Sequence, residues 1–318
     1  MTSVDSLKTT ANAPSGGPSS GTAIPMNPEG LRSFFDKVGY RTLTSTSATW
    51  YQAGPRFLLS LPSHRAVSVP ADEAQELLHR HRLAGIRYIS DERDGGHESF
   101  QIVASGADYG LEKLSGNSRS RIRRGLKRNE VRKTCGAEVV ERAESAFRQT
   151  LERQGRYSDS AITTWRRLMA AADDEPGIEI WSAWHEGELA SYLMVMFLDD
   201  VVEFYQARSR NDLLKHYPNN ALVFSLAEEM LVRRGVREIT FGIESPEDVA
   251  ELDTFKYALG FEKKPILQKV IFHPMLRTAL AIPGARQLLN AAATREGAHV
   301  ALRKASGLAR FTDTSGQR

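Results

Sequence analysis

Residues 178–207 read IEIWSAWHEGELASYLMVMFLDDVVEFYQA, and this stretch decides the fold class. Apolar and β-branched residues form three runs, at 178–184, 189–197 and 201–207. The turn residues Glu186 and Gly187 separate the first two runs, and residues 198–200 separate the second and third. This pattern predicts three antiparallel strands joined by tight turns.

The residues downstream predict helices that alternate with strands. After a loop that ends at Pro218, residues 219–234 have apolar positions at helical spacing and stop at Gly235. Residues 236–241 predict a strand, 246–259 a helix that Gly260 ends, and 261–272 a last strand. A strand meander followed by helix, strand, helix and strand indicates an α/β domain.

Upstream of residue 178 the pattern is weaker but of the same kind. Helices are predicted at 71–81, 143–154 and 160–172, with turn residues at 173–177. Short strands are predicted at 49–52, 57–61, 86–89 and 100–104, and near 137–140. One domain boundary is therefore expected close to residue 140.

Composition excludes several classes of protein. A chain of 318 residues that is 41% hydrophobic and 25% charged can bury a core, which excludes fibrous and largely disordered proteins. Its single cysteine, Cys135, excludes an internal disulfide or a cysteine-based metal cluster. The histidines lack metal-ligand spacing and no G-x-S-x-G turn follows a strand, so neither a metal nor a serine nucleophile is predicted.

The two ends of the chain differ from its centre. Residues 1–30 are rich in Ser, Thr, Gly, Pro and Ala, which predicts a disordered lead without a secretory signal. No run of about 20 apolar residues is present, so a cytoplasmic protein is expected. Residues 273–318 predict a basic helical tail that can pack on the domain, touch RNA or lie on an anionic membrane surface. Packing is favoured because several leucines need cover, namely Leu276, Leu280, Leu288 and Leu289.

A basic segment lies between Lys113 and Lys133. It holds nine Lys or Arg residues and one acid, Glu130. Leu111, Leu114, Ile122 and Leu126 recur there at helical spacing, which predicts an amphipathic helix with its arginines outward. Such a surface attracts phosphates, whether of a nucleotide, a coenzyme or RNA, although a merely solvated basic helix has the same pattern.

Four short motifs carry a resemblance to known families. They are YPNNAL at 217–222, Gly235-Val236, ITFG at 239–242 and FKYALGF at 255–261, with the Arg-rich stretch 119–128 upstream. Together with the order of elements, they resemble the Fem-type and related double acetyltransferase-like (GNAT) families over residues 34–272. The resemblance implies two tandem GNAT-like halves, 31–140 and 141–272, each a mixed sheet flanked by helices.

The resemblance also implies the chemistry. An amine in a small metabolite, peptide or cell-wall precursor attacks an acyl group carried by acyl-coenzyme A or aminoacyl-tRNA. Phe255 and Lys256 match the Phe-Lys pair that lies along the donor channel of Fem-type aminoacyltransferases. A lysine held beside an aromatic face can meet a phosphate or a developing oxyanion. Alternatively, Phe255 is a core residue and Lys256 its exposed neighbour.

The loop before the helix at 219–234 is the second candidate site. In acetyltransferases this turn uses glycines to approach the coenzyme pyrophosphate, but no glycine lies between Gln206 and Asn220. The missing glycines weaken the case for acyl-coenzyme A as the donor and favour aminoacyl-tRNA, while side chains can substitute for the glycines as phosphate contacts. The candidate phosphate-binding residues are Arg208, Arg210, Lys215, Asn219 and Asn220, with Arg119, Arg123 and Arg124 of the basic segment.

Two residues are candidates for acid and base roles. Glu244 follows a strand at the edge where α/β sheets place their sites, and it can deprotonate an amine. Tyr205 can donate a proton to a leaving group, and Glu203 faces the same side of its strand. The ordinary alternatives are a solvated Glu203 and a packed Tyr205.

Two classes of function follow from the sequence. The first is an N-acyltransferase, in which Lys256 and Arg123 are expected to converge on one groove that holds a phosphate-bearing donor. The second is a non-catalytic RNA-binding or regulatory module that keeps the fold. The basic segment lacks interleaved aromatic residues, which argues against a dedicated single-strand binding platform.

Overall fold

Twelve strands form one mixed β-sheet, with helices on both faces, in the part of the chain that the structure describes. The structure, a computed structural model, describes residues 24–54, 56–153, 157–246, 250–295 and 300–311. This architecture confirms the predicted α/β class with a mixed sheet flanked by helices.

Apart from the strand predicted near residues 137–140, the elements follow the predicted order, with one additional helix, Pro28–Val38, and two additional short strands, Thr42–Thr44 and Ala66–Val67, in the first part of the chain. In the first part of the chain they are α1 (Pro28–Val38), β1 (Thr42–Thr44), β2 (Thr49–Gly54), β3 (Phe57–Leu61), β4 (Ala66–Val67), α2 (Ala71–Arg80), β5 (Gly85–Ser90), β6 (His97–Ser105), α3 (Gly116–Arg128), β7 (Glu130–Thr134), α4 (Gly136–Arg153) and α5 (Asp159–Asp173). In the second part they are β8 (Ile178–His185), β9 (Glu188–Leu198), β10 (Val201–Ser209), α6 (Pro218–Glu228), β11 (Glu238–Ile243), α7 (Ala250–Ala258), β12 (Glu262–Phe272), α8 (Pro274–Ala281), α9 (Ala285–Ala293) and α10 (Val300–Ala309).

An exchange of strands joins the two halves of the sheet. β6 pairs antiparallel with β11, β12 pairs antiparallel with β5, and β6 and β12 also pair with each other. The strand order is therefore β1-β2-β3-β5-β12-β6-β11-β10-β9-β8-β7, with β4 beside β5. Each exchanged strand lies against the sheet of the other half, so the halves proposed at 31–140 and 141–272 share their central strands.

Helices cover the two faces of the sheet with different sets of side chains. On β9, Met194 and Met196 pack with α1, α4 and α5, whereas Leu193 and Val195 pack with α3 and α6. Trp50 of β2 lies in a third cluster with α2, on the same side as α6. The face under α1, α4 and α5 is called the inner face, and the face under α2, α3 and α6 the outer face.

Contacts across the inner face show that the sheet curls. Tyr51 of β2 and Tyr205 of β10 both pack on Phe35 of α1, with ring centroids 4.5 and 5.9 Å from it. Ser63, just after β3, donates a hydrogen bond of 2.8 Å to Glu203 of β10. Within the sheet, however, β5, β12, β6 and β11 all lie between β3 and β10. The inner face is therefore concave, and side chains of the two halves meet over it.

Residues 24–30, which the sequence assigns to a disordered lead, are part of the fold. Met26 is buried, and its backbone N–H donates to the carbonyl of Phe197 at 2.8 Å. Asn27 then caps α1 by accepting from the N–H of Gly30 at 2.8 Å, with Pro28 in the first turn. The predicted disordered lead therefore extends too far for residues 24–30, because β9 holds this segment. Residues 1–23 lie outside the described residues.

The strand predicted near residues 137–140 is wrong, because these residues belong to α4. The carboxylate of Asp173 accepts from the backbone N–H groups of Gly136 at 2.5 Å and Ala137 at 3.0 Å. These contacts satisfy amides that the first turn of a helix leaves without partners. The strand lies earlier, as β7, and pairs with β8 of the second half.

Helix α3 is the predicted basic helix, but a glycine rather than Leu126 makes its inward contact. Leu126 is 39% exposed, so its predicted inward orientation is wrong, while Ile122 and Gly125 are buried. A Cβ atom on Gly125 would lie 2.6 Å from the carbonyl oxygen of Tyr217 and 3.2 Å from the side chain of Ala221. Gly125 therefore sets how closely α3 approaches the start of α6.

The basic tail packs on the inner face through its last helix. Leu308 and Phe311 are buried against Val270 and Phe272 of β12. Of the predicted leucine stripe, by contrast, Leu288 is 74% exposed. α10 therefore makes the main apolar contact of the tail.

Substitution of Gly125 by alanine is expected to destabilise the fold. The added methyl group must push α3 from the backbone of α6, and overpacking of this kind costs about 1–3 kcal/mol. Gly116→Ala in the same helix is the matched control, because the atom nearest its added Cβ is 3.9 Å away. Urea unfolding measures both; equal stability of the two variants would contradict the close packing of α3 on α6.

Candidate active site

Strands β10 and β11 are parallel neighbours that separate after a short pairing. Their register runs only from Val201 opposite Glu238 to Glu203 opposite Thr240. Beyond these residues β10 continues on β9, and β11 continues on β6. A gap, called the split below, therefore opens between the carboxyl ends of β10 and β11.

The first half has an equivalent pair of parallel strands, β3 and β5, but there the gap is filled. β3 pairs with β5 up to Leu59 opposite Arg87, and the short β4 then pairs with the end of β5 at Ile89 and Ser90. No strand among the described residues takes this position between β10 and β11. The second half therefore provides the open split.

Both strands are irregular where they enter the split. β10 has a bulge at Tyr205, which has no partner on β9 although its neighbours Phe204 and Gln206 do. In β11, Gly242 has a positive φ of 79°, and its N–H donates to the side-chain oxygen of Thr240 at 3.0 Å. Bulges of this kind redirect side chains and are frequent beside active sites.

Glu203 lies on the inner face at the base of the split. A Cβ atom on Gly242 would lie 3.5 Å from its Oε1, so the carboxyl group lies against the glycine of the opposite strand. Its Oε2 accepts from the hydroxyl of Ser63 at 2.8 Å. Burial raises the pKa of Glu203 above the usual range of a carboxyl, and the hydrogen bond from Ser63 offsets part of this rise. Such a carboxylate is a stronger base than an exposed one.

Tyrosines surround the split on the inner face. Tyr205, Tyr40 and Tyr51 line a cavity of about 510 Å³ beside the bulge. Burial raises the pKa of Tyr51 and that of Tyr205, so both phenols keep their protons over the physiological range. These hydroxyl groups can therefore donate hydrogen bonds or a proton to a molecule in the cavity.

The amino end of α6 and the basic helix α3 lie together on the outer face. Tyr217 takes a left-handed conformation (φ 59°) immediately before Pro218, the first residue of α6. Arg124 of α3 lies over the Tyr217 ring, 5.3 Å from its centroid, and Nη1 donates to the phenolic oxygen at 3.4 Å. The side-chain nitrogen of Asn219 donates to Ser209 at 3.4 Å. Helix amides and arginines thus lie close together.

The cations of α3 other than Arg119 face solvent. Among the described residues, no carboxylate forms an ion pair with any of them. Arg119 is half-buried and donates to the carbonyl of Leu114 at 2.7 Å. The exposed basic side chains of α3 are Arg121, Arg123, Arg124, Lys127 and Arg128.

The predicted loop residues differ in how far their charges are already used. Arg210 donates to Glu188 at 2.6 Å and to Asp212 at 2.7 Å, so carboxylates neutralise its guanidinium. Arg208 lies over the ring of Phe147, 5.5 Å from the centroid, on the inner face. Lys215 is exposed. Of the predicted loop residues, Lys215, Asn219 and Asn220 therefore remain as candidate phosphate ligands at or just before the start of α6. Arg208 lies on the other side of the sheet.

Lys256 and Phe255 lie on α7, away from the tyrosines. The ammonium of Lys256 is 2.9 Å from Asp253 and 5.0 Å from the centre of the Phe241 ring, while Phe255 packs against the outer core cluster. The segment just after α7 contacts the segment just before α3, since a Cβ atom on Gly260 would lie 2.8 Å from Leu114. Both helices thus share the outer face.

Glu244 lies at the end of β11, but the tail occupies its carboxylate. Ser99 donates to one oxygen at 2.7 Å, and Arg310 of the tail donates to the other at 2.7 Å. Its backbone carbonyl accepts from Arg87 at 2.5 Å. Glu244 therefore belongs to a polar cluster farther along the inner face than the split.

The structure brings some predicted residues together and separates others. Tyr205 lies beside the split with Glu203, which the sequence placed on the same face of the strand as Tyr205 without a catalytic role of its own. The available signal was a lone carboxylate in the apolar run VVEFY at 201–205. Strand order alone did not show which carboxylate faces the split, because that depends on the pairing of β10 with β11.

A second cavity of about 660 Å³ lies at the carboxyl end of α3. Lys127, Arg128, Arg132 and Trp184 contribute to its lining. Arg132 is already bound, since it contacts Glu138 at 2.6 Å and lies 4.4 Å from the centre of the Trp184 ring. Lys256 lines neither this cavity nor the one beside Tyr205.

The described residues contain neither a metal-binding cluster nor a membrane-spanning helix. No three His, Cys, Asp or Glu side chains within the described ranges lie close enough together to hold a metal ion. Within the same ranges, none of the helices combines the length and the apolar composition needed to cross a membrane.

Comparisons with known proteins identify the fold. The family model described as an acetyltransferase (GNAT) domain matches residues 113–256. The crystal structure of FemX aligns with a TM-score of 0.56 at 13% identity, covering 78% of this chain and 92% of that chain. The C-terminal domain of a putative lysylphosphatidylglycerol synthetase from Agrobacterium fabrum aligns with a TM-score of 0.51 at 11% identity, over 86% and 94% of the two chains.

A third solved structure also has a similar fold. L-PGS from Bacillus licheniformis aligns with a TM-score of 0.50 at 12% identity, covering 80% of this chain and 94% of that chain. Among curated protein sequences, none matches this chain. Residues 113–256 therefore match an acetyltransferase (GNAT) domain, and the described part of the chain has a fold similar to that of FemX.

Proposed function

We propose that the protein is an N-acyltransferase whose reaction takes place in the split between β10 and β11, with Glu203 as the general base. The observation that carries this proposal is a half-buried carboxylate with a raised pKa at the carboxyl end of this parallel strand pair, where both strands are irregular. The amine nitrogen attacks the acyl carbon and forms a C–N bond, while the bond from the acyl carbon to the donor breaks. Glu203 accepts the proton of the amine, and Tyr205 donates one to the leaving oxygen or sulfur.

The environment of Glu203 suits this role. A general base is most effective when its pKa approaches the working pH, and burial shifts Glu203 in that direction. Ser63 fixes the orientation of the carboxyl group from the other half of the sheet. The bulge at Tyr205 leaves a backbone amide outside the β9 ladder, where it can donate to the acyl carbonyl as negative charge develops.

The outer face supports binding of a phosphate-bearing donor. The amino end of α6 offers backbone N–H groups, and the left-handed turn at Tyr217 replaces the glycine that other acetyltransferases use. The exposed cations extend along α3, which is about 20 Å long for its 13 residues. This length exceeds a pyrophosphate, so it supports aminoacyl-tRNA over acyl-coenzyme A as the donor. Lys256 is proposed to join this surface when the donor displaces Asp253.

The acceptor is proposed to be an amine in a small metabolite, peptide or cell-wall precursor that enters from the tyrosine-lined cavity. A cytoplasmic location and a peripheral membrane contact through the basic tail also remain proposals. The alternative of a non-catalytic RNA-binding module does not account for Glu203, because a half-buried carboxylate with a raised pKa destabilises a fold that makes no use of it.

Glu203→Gln is expected to reduce the turnover number by about 10²–10⁴-fold, the usual contribution of a general base. The glutamine keeps an oxygen for Ser63 but cannot accept a proton. Transfer is measured from acetyl-coenzyme A and from a mixture of aminoacyl-tRNAs to a panel of primary amines. Glu251→Gln, at an exposed position of α7, is the control and should leave turnover unchanged. Normal turnover of Glu203→Gln with either donor would exclude Glu203 as the base.

The same variant is expected to be more stable than the wild type at pH 8. A raised folded pKa means that the ionised carboxylate is less favourable in the folded protein than in the unfolded chain. The gain should shrink as the pH falls from the folded pKa to the ordinary carboxyl value of about 4, where both states are protonated. Urea unfolding across this range measures it, and a pH-independent difference would contradict the burial of an ionisable Glu203.

Removal of three charges from α3 is expected to weaken tRNA binding. Arg121, Arg123 and Arg124 are replaced together by glutamine, and each lost phosphate contact should lower the slope of log K against log salt by about one. Fluorescence anisotropy with labelled tRNA measures this slope. The control replaces Arg80, Arg82 and Arg93, which are exposed on the first half. A tRNA affinity that is unchanged in the α3 variant would favour acyl-coenzyme A as the donor.

A further inference from the structure

Arg87 is a buried cation that lacks an anionic partner. Its side chain on β5 is withdrawn from solvent, and no ion pair to it forms among the described residues. Nε donates to the side-chain oxygen of Gln268 at 2.5 Å, and Nη2 donates to the backbone carbonyl of Glu244 at 2.5 Å. Both acceptors are neutral. Burial lowers the pKa of Arg87 to about 10, and the charge of Glu244 offsets part of this shift.

Unpartnered amide donors lie on the same inner face. The side-chain nitrogens of Gln268 and Gln101 are buried and have no hydrogen-bond acceptor among the described residues. Gln268 is on β12, next to Arg87, whereas Gln101 is on β6, which lies between β12 and β11. Buried donors without acceptors are rare in folded proteins and call for an explanation. A ligand that supplies oxygen atoms would satisfy them.

The charges of this cluster define the kind of ligand. Arg87 and Arg310 both lie beside Glu244, Arg87 at its backbone carbonyl and Arg310 at its carboxylate. Two guanidinium groups with one carboxylate leave one surplus positive charge, and of the two guanidinium groups Arg310 is exposed and Arg87 is buried. A single negative charge neutralises the surplus charge, and a planar carboxylate matches the fork of donors on a guanidinium. A phosphate dianion would leave the cluster negative.

Tyr51 connects this cluster to the split. Its hydroxyl lies within electrostatic range of both Glu203 and Arg87, and its ring lines the cavity beside Tyr205. Glu203 and Arg87 are on strands β10 and β5, which are separated in the sheet by β12, β6 and β11. Because the sheet curls, the distance between Glu203 and Arg87 across the inner face is shorter than the distance along the sheet. One extended molecule can therefore reach both residues.

We infer that Arg87, with Gln268, binds a carboxylate of the acceptor, so that the substrate is an amine that also carries a carboxylate group. Its amine lies at Glu203 in the split, and its carboxylate lies against Arg87 on the concave inner face. This inference rests on the proposed function for the position of the amine. It assigns Arg87 to substrate specificity rather than to the chemical step.

The test compares ligands that differ only in this charge. Alanine peptides of graded length and their C-terminal amides are added to the full chain, and the midpoint of thermal unfolding is measured. At least one free acid should raise the midpoint in the wild type, with an affinity at least about tenfold above that of its amide. Equal effects of acids and amides, or no effect of any acid, would contradict the inference.

Variants separate this inference from the proposed function. Arg87→Gln should abolish the preference for the acid, and Arg87→Lys should retain part of it, which also controls for a folding defect. Glu203→Gln should keep the preference while losing transfer. Lys269→Gln, which removes a cation of β12 that contacts Asp94, is the control and should bind as the wild type does. Retention of the preference in Arg87→Gln would overturn the assignment of Arg87.

Discussion

The exchange of β6 and β12 is the constraint on which the rest of the structure depends. Because each of these strands pairs with the sheet of the other half, the two halves become one sheet whose centre is shared. The curl of that sheet brings β2 and β3 over β10, where Ser63 contacts Glu203 and Tyr51 shares Phe35 with Tyr205. The candidate active site thus contains residues from both halves and would not be complete in either half alone.

The inner face carries polar groups at a cost to stability. Arg87 is a buried ionisable side chain and Glu203 a half-buried one, and desolvation shifts the pKa of each in the direction that favours its neutral form. A fold selected only for stability would replace them by apolar side chains of similar size. Their positions at the split and beside Gln268 support roles in binding and proton transfer. The outer face instead carries exposed charges, namely the arginines of α3 beside the amino end of α6.

Local patterns in the sequence predicted the parts of the fold that depend on local interactions. The three apolar runs in residues 178–207 predicted β8, β9 and β10. Glu186 and Gly187 form the expected turn, with positive φ angles. The start of α4 was missed because its cap, Asp173, lies far away in sequence. Leu126 was placed inward because apolar spacing does not reveal that Gly125 makes the close contact with α6.

The candidate site was only partly predictable for the same reason. Tyr205 was identified from its strand, but the choice between Glu203 and Glu244 depends on strand pairing and on the tail. Arg310 reaches Glu244 from the far end of the chain, and no local pattern predicts that contact. Likewise, the sequence shows that Arg210 is basic but not that Glu188 and Asp212 neutralise it.

The most direct measurement of the central claim is a crystal structure with a bound donor analogue, either coenzyme A or a stable amide analogue of a 3′-aminoacyl-adenosine. We expect the thiol of coenzyme A, or the acyl carbonyl of the adenosine analogue, to lie in the split within reach of Glu203, and the phosphates of coenzyme A to lie near Tyr217 and Arg124. A ligand bound elsewhere, such as in the cavity beside Trp184 with the split empty, would contradict it.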